Sequence, residues 1–185
     1  MTDRAGHVAG ILTAVDGAGA ASIPLPAGAG PPTIVHARYA GGDNFVVNAV
    51  DAHGRFLSIA AQAFANYDGT FPVGFVDQHN APTRGLAVST TGPWHLDIAN
   101  ASLAPALPAG GVDGAGDGVW AYSGPAVQAR VSYAGTSTFT LETFTNGVLK
   151  VLASGKGPYE RNVQLPAGPA FVSVTAAGDW SMKLE

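Results

Sequence analysis

Apolar and polar residues alternate over short runs along most of the chain, with a period of two rather than 3.6, which predicts half-buried strands. Trp94-His95-Leu96-Asp97-Ile98 is one such run. It points Trp94, Leu96 and Ile98 to one face and His95 and Asp97 to the other. The same reading places strands at Ala21–Leu25, Thr33–Tyr39, Asn44–Val50, Leu57–Ala63, Gly69–Val73 and Leu86–Thr90, closing with Trp94–Ile98. Glycine, proline and Asp/Asn-Gly punctuation separates the runs, as turns require.

The pattern then repeats. ARYAGGDNFVV from Ala37 reads against RVSYAGTSTFTL from Arg130, matching Tyr39 with Tyr133, Gly41 with Gly135 and Phe45 with Phe139, each 94 positions apart. DAHG at Asp51 falls against TNG at Thr145, and NYDGTFPV around Tyr67 against PYERNVQL around Tyr159. LAVSTTGPWHLDI and FVSVTAAGDWSMKL close the two copies, with Trp94 against Trp180 at an offset of 86. The offset shrinks because the first copy has longer connections, chiefly around Phe75–Gly85, and insertions belong in loops.

The predicted architecture is all-β: two tandem antiparallel, jelly-roll-like β-sandwiches related by internal duplication. Residues 21–99 form the first sandwich and 118–185 the second. Residues 100–117, rich in Ala, Pro and Gly, read as a linker. Residues 1–20 have no recognised counterpart in the second copy. Their apolar stretch HVAGILTAV is read either as an extra edge strand on its own domain or as an arm that adds to a neighbouring subunit. Pairing at home closes the shorter loop and is preferred.

The order of a Tyr-x-Gly-(x)3-Phe strand pair, an Asp/Asn-Gly turn, a Tyr in a connecting segment and a closing Gly-x-Trp strand resembles small β-sandwich domains attached to bacterial exported proteins. It is broadly similar to prepeptidase C-terminal domains. The resemblance covers most of both copies and rests on core and turn positions. It implies a fold, and generally a non-catalytic one.

Composition narrows the function classes. Of 185 residues, 12% are charged, about half the usual share, so much of the surface is small and weakly polar. A net charge of −4 with nine scattered Lys and Arg argues against a nucleic-acid partner. The absence of cysteine removes disulfides and thiolate chemistry. HVAGILTAV is too short and weakly apolar for an export signal, and no run of about 18 apolar residues predicts membrane insertion.

The candidate chemistry is sparse. His7, His36, His53, His79 and His95 show no HxH or HxxxH spacing, and His36 and His95 fall on the polar phase of their strands, so they read as surface residues rather than metal ligands. Asp113 and Asp117, Asp43 with Asn44, and Asp51 are too loosely spaced for a dense calcium loop and sit where turns are expected. Ser123 and Ser154 lack a nucleophile elbow, PAGAGPP is no phosphate loop, and Asp68 and Asp97 would stand near each other only by an accident of folding. No cofactor is expected.

Aromatics that recur in both copies read as shared core. Among the unmatched aromatics, Trp120 and Tyr122 share a strand face at i, i+2 and read as core, as an interface or, with Arg130, as a ligand platform. The expectation is therefore a non-enzymatic structural or interaction protein docking into a larger assembly, as a virion decoration or fibre subunit or a cell-surface protein. Its partners would be proteins or further copies of itself. The alternative is a carbohydrate-binding module with a glycan partner.

Overall fold

The computed structural model describes residues 10–74 and 81–185 and divides into two compact units, Met1–Leu103 and Ala104–Glu185. The first holds strands β1 (Ile11–Ala18), β2 (Ala21–Pro24), β3 (Thr33–Tyr39), β4 (Phe45–Val50), β5 (Phe56–Ala63), β6 (Tyr67–Val73), β7 (Gly85–Ser89) and β8 (Pro93–Asn100). The second holds β9 (Val112–Ala115), β10 (Gly118–Tyr122), β11 (Val127–Tyr133), β12 (Thr138–Thr145), β13 (Val148–Lys156), β14 (Tyr159–Leu165), β15 (Ala170–Ala176) and β16 (Asp179–Leu184).

In the first unit the sheet order is β1-β8-β3-β6 against β2-β7-β4-β5, every pairing antiparallel. In the second it is β9-β16-β11-β14 against β10-β15-β12-β13. Adding eight to each strand number converts one into the other. Two four-stranded sheets in this order are a jelly roll, so the structure is all-β and built from two sandwiches of the same topology.

Each core forms because alternation sends every second side chain between the sheets. Val35, Ala37 and Tyr39 from β3 meet Phe45 and Val47 from β4, with Leu86, Leu96 and Ile98 closing the layer. Val131, Tyr133, Phe139, Leu141, Val172 and Met182 do the same in the second unit. The recurring aromatics stack alike: Tyr39 on Phe45 at 5.0 Å and Phe45 on Tyr67 at 5.3 Å, Tyr133 on Phe139 at 5.3 Å and Phe139 on Tyr159 at 6.1 Å. Trp94 lies opposite Tyr39 in its sheet, and Trp180 opposite Tyr133.

One sequence alternative is decided and one expectation changes. β1 pairs along its length with β8 of its own unit, so the described part of residues 1–20 is an edge strand at home. The presumed linker at 100–117 contains a 3-10 turn, Ala101–Leu103, and strand β9, which pairs with β16. β9 is the counterpart of β1: Val15-Asp16-Gly17-Ala18-Gly19 and Val112-Asp113-Gly114-Ala115-Gly116 are identical runs. Their glycines are packing positions rather than only turns. Gly17 lies beneath Trp94, whose Nε1 donates to the Gly19 carbonyl at 2.9 Å, and Gly114 lies beneath Trp180, whose Nε1 donates to Gly116 at 2.8 Å.

Turn chemistry follows its residues. Asn146 and Gly147 both take positive φ, 52° and 80°, in the two-residue hairpin between β12 and β13. The equivalent loop of the first unit is longer and is held by Asp51, which accepts from the His53 and Arg55 amides at 2.8 and 2.9 Å and from Arg55 Nε at 2.7 Å. These bonds, the Arg55 amide foremost, lower the Asp51 pKa to about 2. The expected insertion at Phe75–Gly85 lies in part, Phe75–Asn80, outside the described residues, as do His7 and His79.

Candidate functional site

The outer face of sheet β1-β8-β3-β6 carries a ladder of ionisable side chains. Because Trp94, Leu96 and Ile98 point inward, His95 and Asp97 point outward, and the same holds for His36 and Arg38 against Val35, Ala37 and Tyr39. Register sets Asp16 opposite His95, His95 opposite Arg38, Asp97 opposite His36 and Arg38 opposite Asp68. His95 Nδ1 meets Asp16 at 2.7 Å and its Nε2 meets Asp97 at 3.0 Å. His36 Nε2 meets Asp68 at 2.7 Å and its Nδ1 approaches Asp97 at 3.8 Å, while Arg38 lies 3.5 Å from Asp97.

With a carboxylate at each ring nitrogen, only the doubly protonated His95 ring donates to both. The Asp16 hydrogen bond, aided by Asp97 and opposed by desolvation, raises the His95 pKa. A ring with a carboxylate at each nitrogen has both nitrogens engaged and leaves neither free to meet a substrate. Asp68 and Asp97, far apart in sequence, are brought together through His36.

Copy two keeps the ladder's positions and replaces its chemistry. Lys183 pairs with Asp113 at 2.8 Å, Arg130 with Glu160 at 2.6 Å and Ser132 with Ser181 at 2.8 Å. These stand at the places of Asp97 with Asp16, His36 with Asp68, and Arg38 with His95. Histidine occurs only in the first version. One end of that face opens into a depression of about 700 Å³ lined by Asp16, Arg38, Asn66, Tyr67, Asp68 and His95 among others.

The other notable surface is the free edge of each second sheet. Phe45 faces Ala63, and its counterpart Phe139 faces Gly155; the register then shifts after Val47 and after Leu141, and in the first unit once more, after Ala49. This register equates Ser58 with Lys150, Ile59 with Val151 and Phe64 with Lys156, and the second shift sets Phe56, opposite Val50, at the place of Leu149, opposite Phe144. Large apolar side chains are exposed at the same places in both units. Phe56 and Leu149 are 60% and 41% exposed, and Ile59 and Val151 are 55% and 53%. Phe64, just past β5, is 76% exposed. Beside β13, burial raises the pKa of Glu142, which faces Val151.

The expected platform of Trp120, Tyr122 and Arg130 does not assemble. Tyr122 is buried, its hydroxyl donating to the Pro125 carbonyl, and Trp120 packs edge-on against Trp180 at 5.4 Å. Arg130 lies on the outer face of the opposite sheet, held by Glu160. The outer positions of β11 and the inner positions of β10 cannot share one surface. Of the acidic candidates, Asp113 holds Lys183, Asp117 caps the Ala176 amide at 2.9 Å, and Asp43 accepts from the Tyr39 and Thr91 hydroxyls. Among the described residues no three His, Asp or Glu side chains converge as metal ligands, and no helix is long and apolar enough to cross a membrane.

No protein-family model and no curated protein matches the chain. Among solved structures it is similar to a β-glucuronidase of Bacteroides uniformis, at 14% identity and a TM-score of 0.29. The match covers 89% of this chain and 21% of that enzyme, so the chain spans about a fifth of its length.

Proposed function

We propose that the chain is a non-enzymatic structural or interaction protein that docks into a larger assembly through the exposed edges of its two jelly rolls. The observation that carries this reading is the recurrence of large exposed apolar residues at equivalent places on β5 and β13. An open edge with apolar side chains is costly for a free soluble protein, since it templates pairing with other chains. The two units have diverged in the charge of their outer faces, yet both retain this feature. Low overall charge fits a surface covered by partners, as in a virion decoration or fibre subunit or a cell-surface protein.

A photo-crosslinking residue at position 59 or 151, in cells that make the protein, is expected to give discrete adducts that a control at Gln128 does not. Equal labelling from all three positions would refute the reading. A second reading, carbohydrate binding, draws on the depression beside Tyr67, where an aromatic edge stands among Asn66, Asp68 and Arg38. A glycan array in which wild type binds and Tyr67→Ala does not would support it, and silence from both proteins would dismiss it.

A further inference from the structure

Resting on the carbohydrate reading, we propose that the depression on the first unit binds a single uncharged, hydroxyl-rich ring, a neutral sugar unit, with Arg38 and Asn66 as donors and Asp16 and Asp68 as acceptors. All four side chains line the same depression of about 700 Å³, a size usual for small-molecule sites.

Mixed polarity selects the ligand class. Asp16 is fixed by His95 at 2.7 Å and Asp68 by His36 at 2.7 Å, each through Oδ1. A carboxylate accepts through both oxygens, so each retains acceptor capacity. Arg38 lies 3.5 Å from Asp97, longer than a charge-assisted hydrogen bond, and its guanidinium carries several further N–H donors. An anion entering the depression meets Asp16 and Asp68, and a cation meets Arg38. A hydroxyl group both donates and accepts, so an uncharged polyhydroxyl ring is the class that suits all four side chains together. The floor agrees with a single ring. Tyr39 and Trp94 are buried and Tyr67 packs on Phe45 at 5.3 Å, so the depression offers aromatic rims rather than the open faces on which a chain of sugars stacks.

The second unit separates what the fold needs from what this site adds. Its Asp113, Glu160 and aromatics Tyr133, Tyr159 and Trp180 repeat the acceptors and rims of the first unit, so those belong to the sandwich. The donors are not repeated. Ser132 stands at the place of Arg38 and is bonded to Ser181 at 2.8 Å, while Pro158, at the place of Asn66, has no N–H to give. Arg38 and Asn66 are therefore dispensable for folding, and together they turn a set of acceptors into a set that grips hydroxyls from both sides.

The test is fluorine NMR of the full chain labelled with fluorotryptophan, titrated with the methyl glycosides of glucose, galactose and mannose, and with glucuronic acid and glucosamine. Trp94 lines the depression, whereas Trp120 and Trp180 lie in the second unit. A neutral glycoside should shift the Trp94 resonance saturably and leave the other two in place, with the charged sugars binding more weakly. Arg38→Ser, which installs the residue of the second unit, should raise the dissociation constant about 10-fold or more, as loss of a charged hydrogen-bond partner does. Asn66→Asp should weaken binding as well, and Glu160→Gln should leave it unchanged. A glycan array then distinguishes the source: retention of glycans ending in the same sugar marks a chain end, and a silent array beside a positive titration marks a free sugar. Binding that is indifferent to Arg38→Ser, or strongest for a charged sugar, overturns the proposal and leaves the carbohydrate reading standing. No shift with any of the sugars also overturns it, and a silent array in that case removes the carbohydrate reading too.

Discussion

Gly17→Ala should destabilise the first unit far more than a one-methyl change on an edge strand normally does. Gly17 faces Trp94 across the β1–β8 pair, and a Cβ placed on it would lie 2.6 Å from Trp94 Cε2 and closer still to Cζ2 and Cη2. Carbon pairs rest at about 3.5–4.0 Å, so the ring or the strand must give by about 1 Å. Overpacking of this kind costs about 1–3 kcal/mol. If the indole turns away, its 2.9 Å bond to the Gly19 carbonyl is lost as well, at about 1 kcal/mol. The sum is about 2–4 kcal/mol, a fall of about 10–25 °C in the melting temperature of a unit this size. Trp94 is the one tryptophan of the first unit, with Trp120 and Trp180 in the second, so fluorotryptophan NMR on heating follows each unit separately. The Trp94 resonance should report early unfolding while the other two hold. A loss below about 0.5 kcal/mol, the range of ordinary surface changes, would refute the claim that Gly17 exists to seat the indole.

Three further outcomes are expected. Phe45→Ala and Phe139→Ala, each removing the central ring of an aromatic stack, should cost about 3–5 kcal/mol apiece in their own unit by calorimetry. His95, its pKa raised by Asp16, contributes stability that is complete below its unfolded value near 6.5 and is lost as pH rises through the higher folded value; a urea-midpoint profile compared with His95→Ser should show the excess at acid pH fade toward alkaline pH, and Asp16→Asn should lower the NMR-titrated pKa. Asp51 works in the opposite sense: with its pKa lowered from 3.8 to about 2, its contribution is present above the unfolded value and drains away as pH falls toward 2. Asp51→Asn should flatten that part of the acid-stability profile.

Period-two alternation was enough to place most strands of the first sandwich, and the paired aromatics carried the pattern to the second, because inward residues such as Val35, Phe45 and Leu96 obey a local rule. β9 escaped the same reading. Val112-Asp113-Gly114-Ala115 is short and half glycine, and glycine commonly signals a turn; here it marks a close approach by Trp180 across the sheet, a long-range cause that local pattern does not reveal. Comparison with Val15–Gly19 was the available signal. Trp120 and Tyr122 were correctly seen to share a face, but alternation does not say which face is inward. The His–Asp ladder was half visible: His36 and His95 read as outward, while their partners Asp68, Asp97 and Asp16 depend on strand register, which follows from the topology of the whole sandwich.

The duplication makes the molecule its own comparison. Positions filled alike in both units, such as Tyr39 and Tyr133 or Gly17 and Gly114, are accounted for by contacts inside each sandwich. Positions filled differently on the outer faces, such as His95 and Ser181, show what the fold tolerates, so the histidine ladder is not required for folding. Exposed apolar residues at the places of Phe56 and Ile59 belong to neither class, since they recur although packing within the unit does not call for them. Selection for solubility alone would have replaced them in one unit or the other, as lysine has replaced the counterparts of Ser58 and Phe64. Their persistence along the outer edges of both units is why the edges rather than the pocket are assigned the principal role.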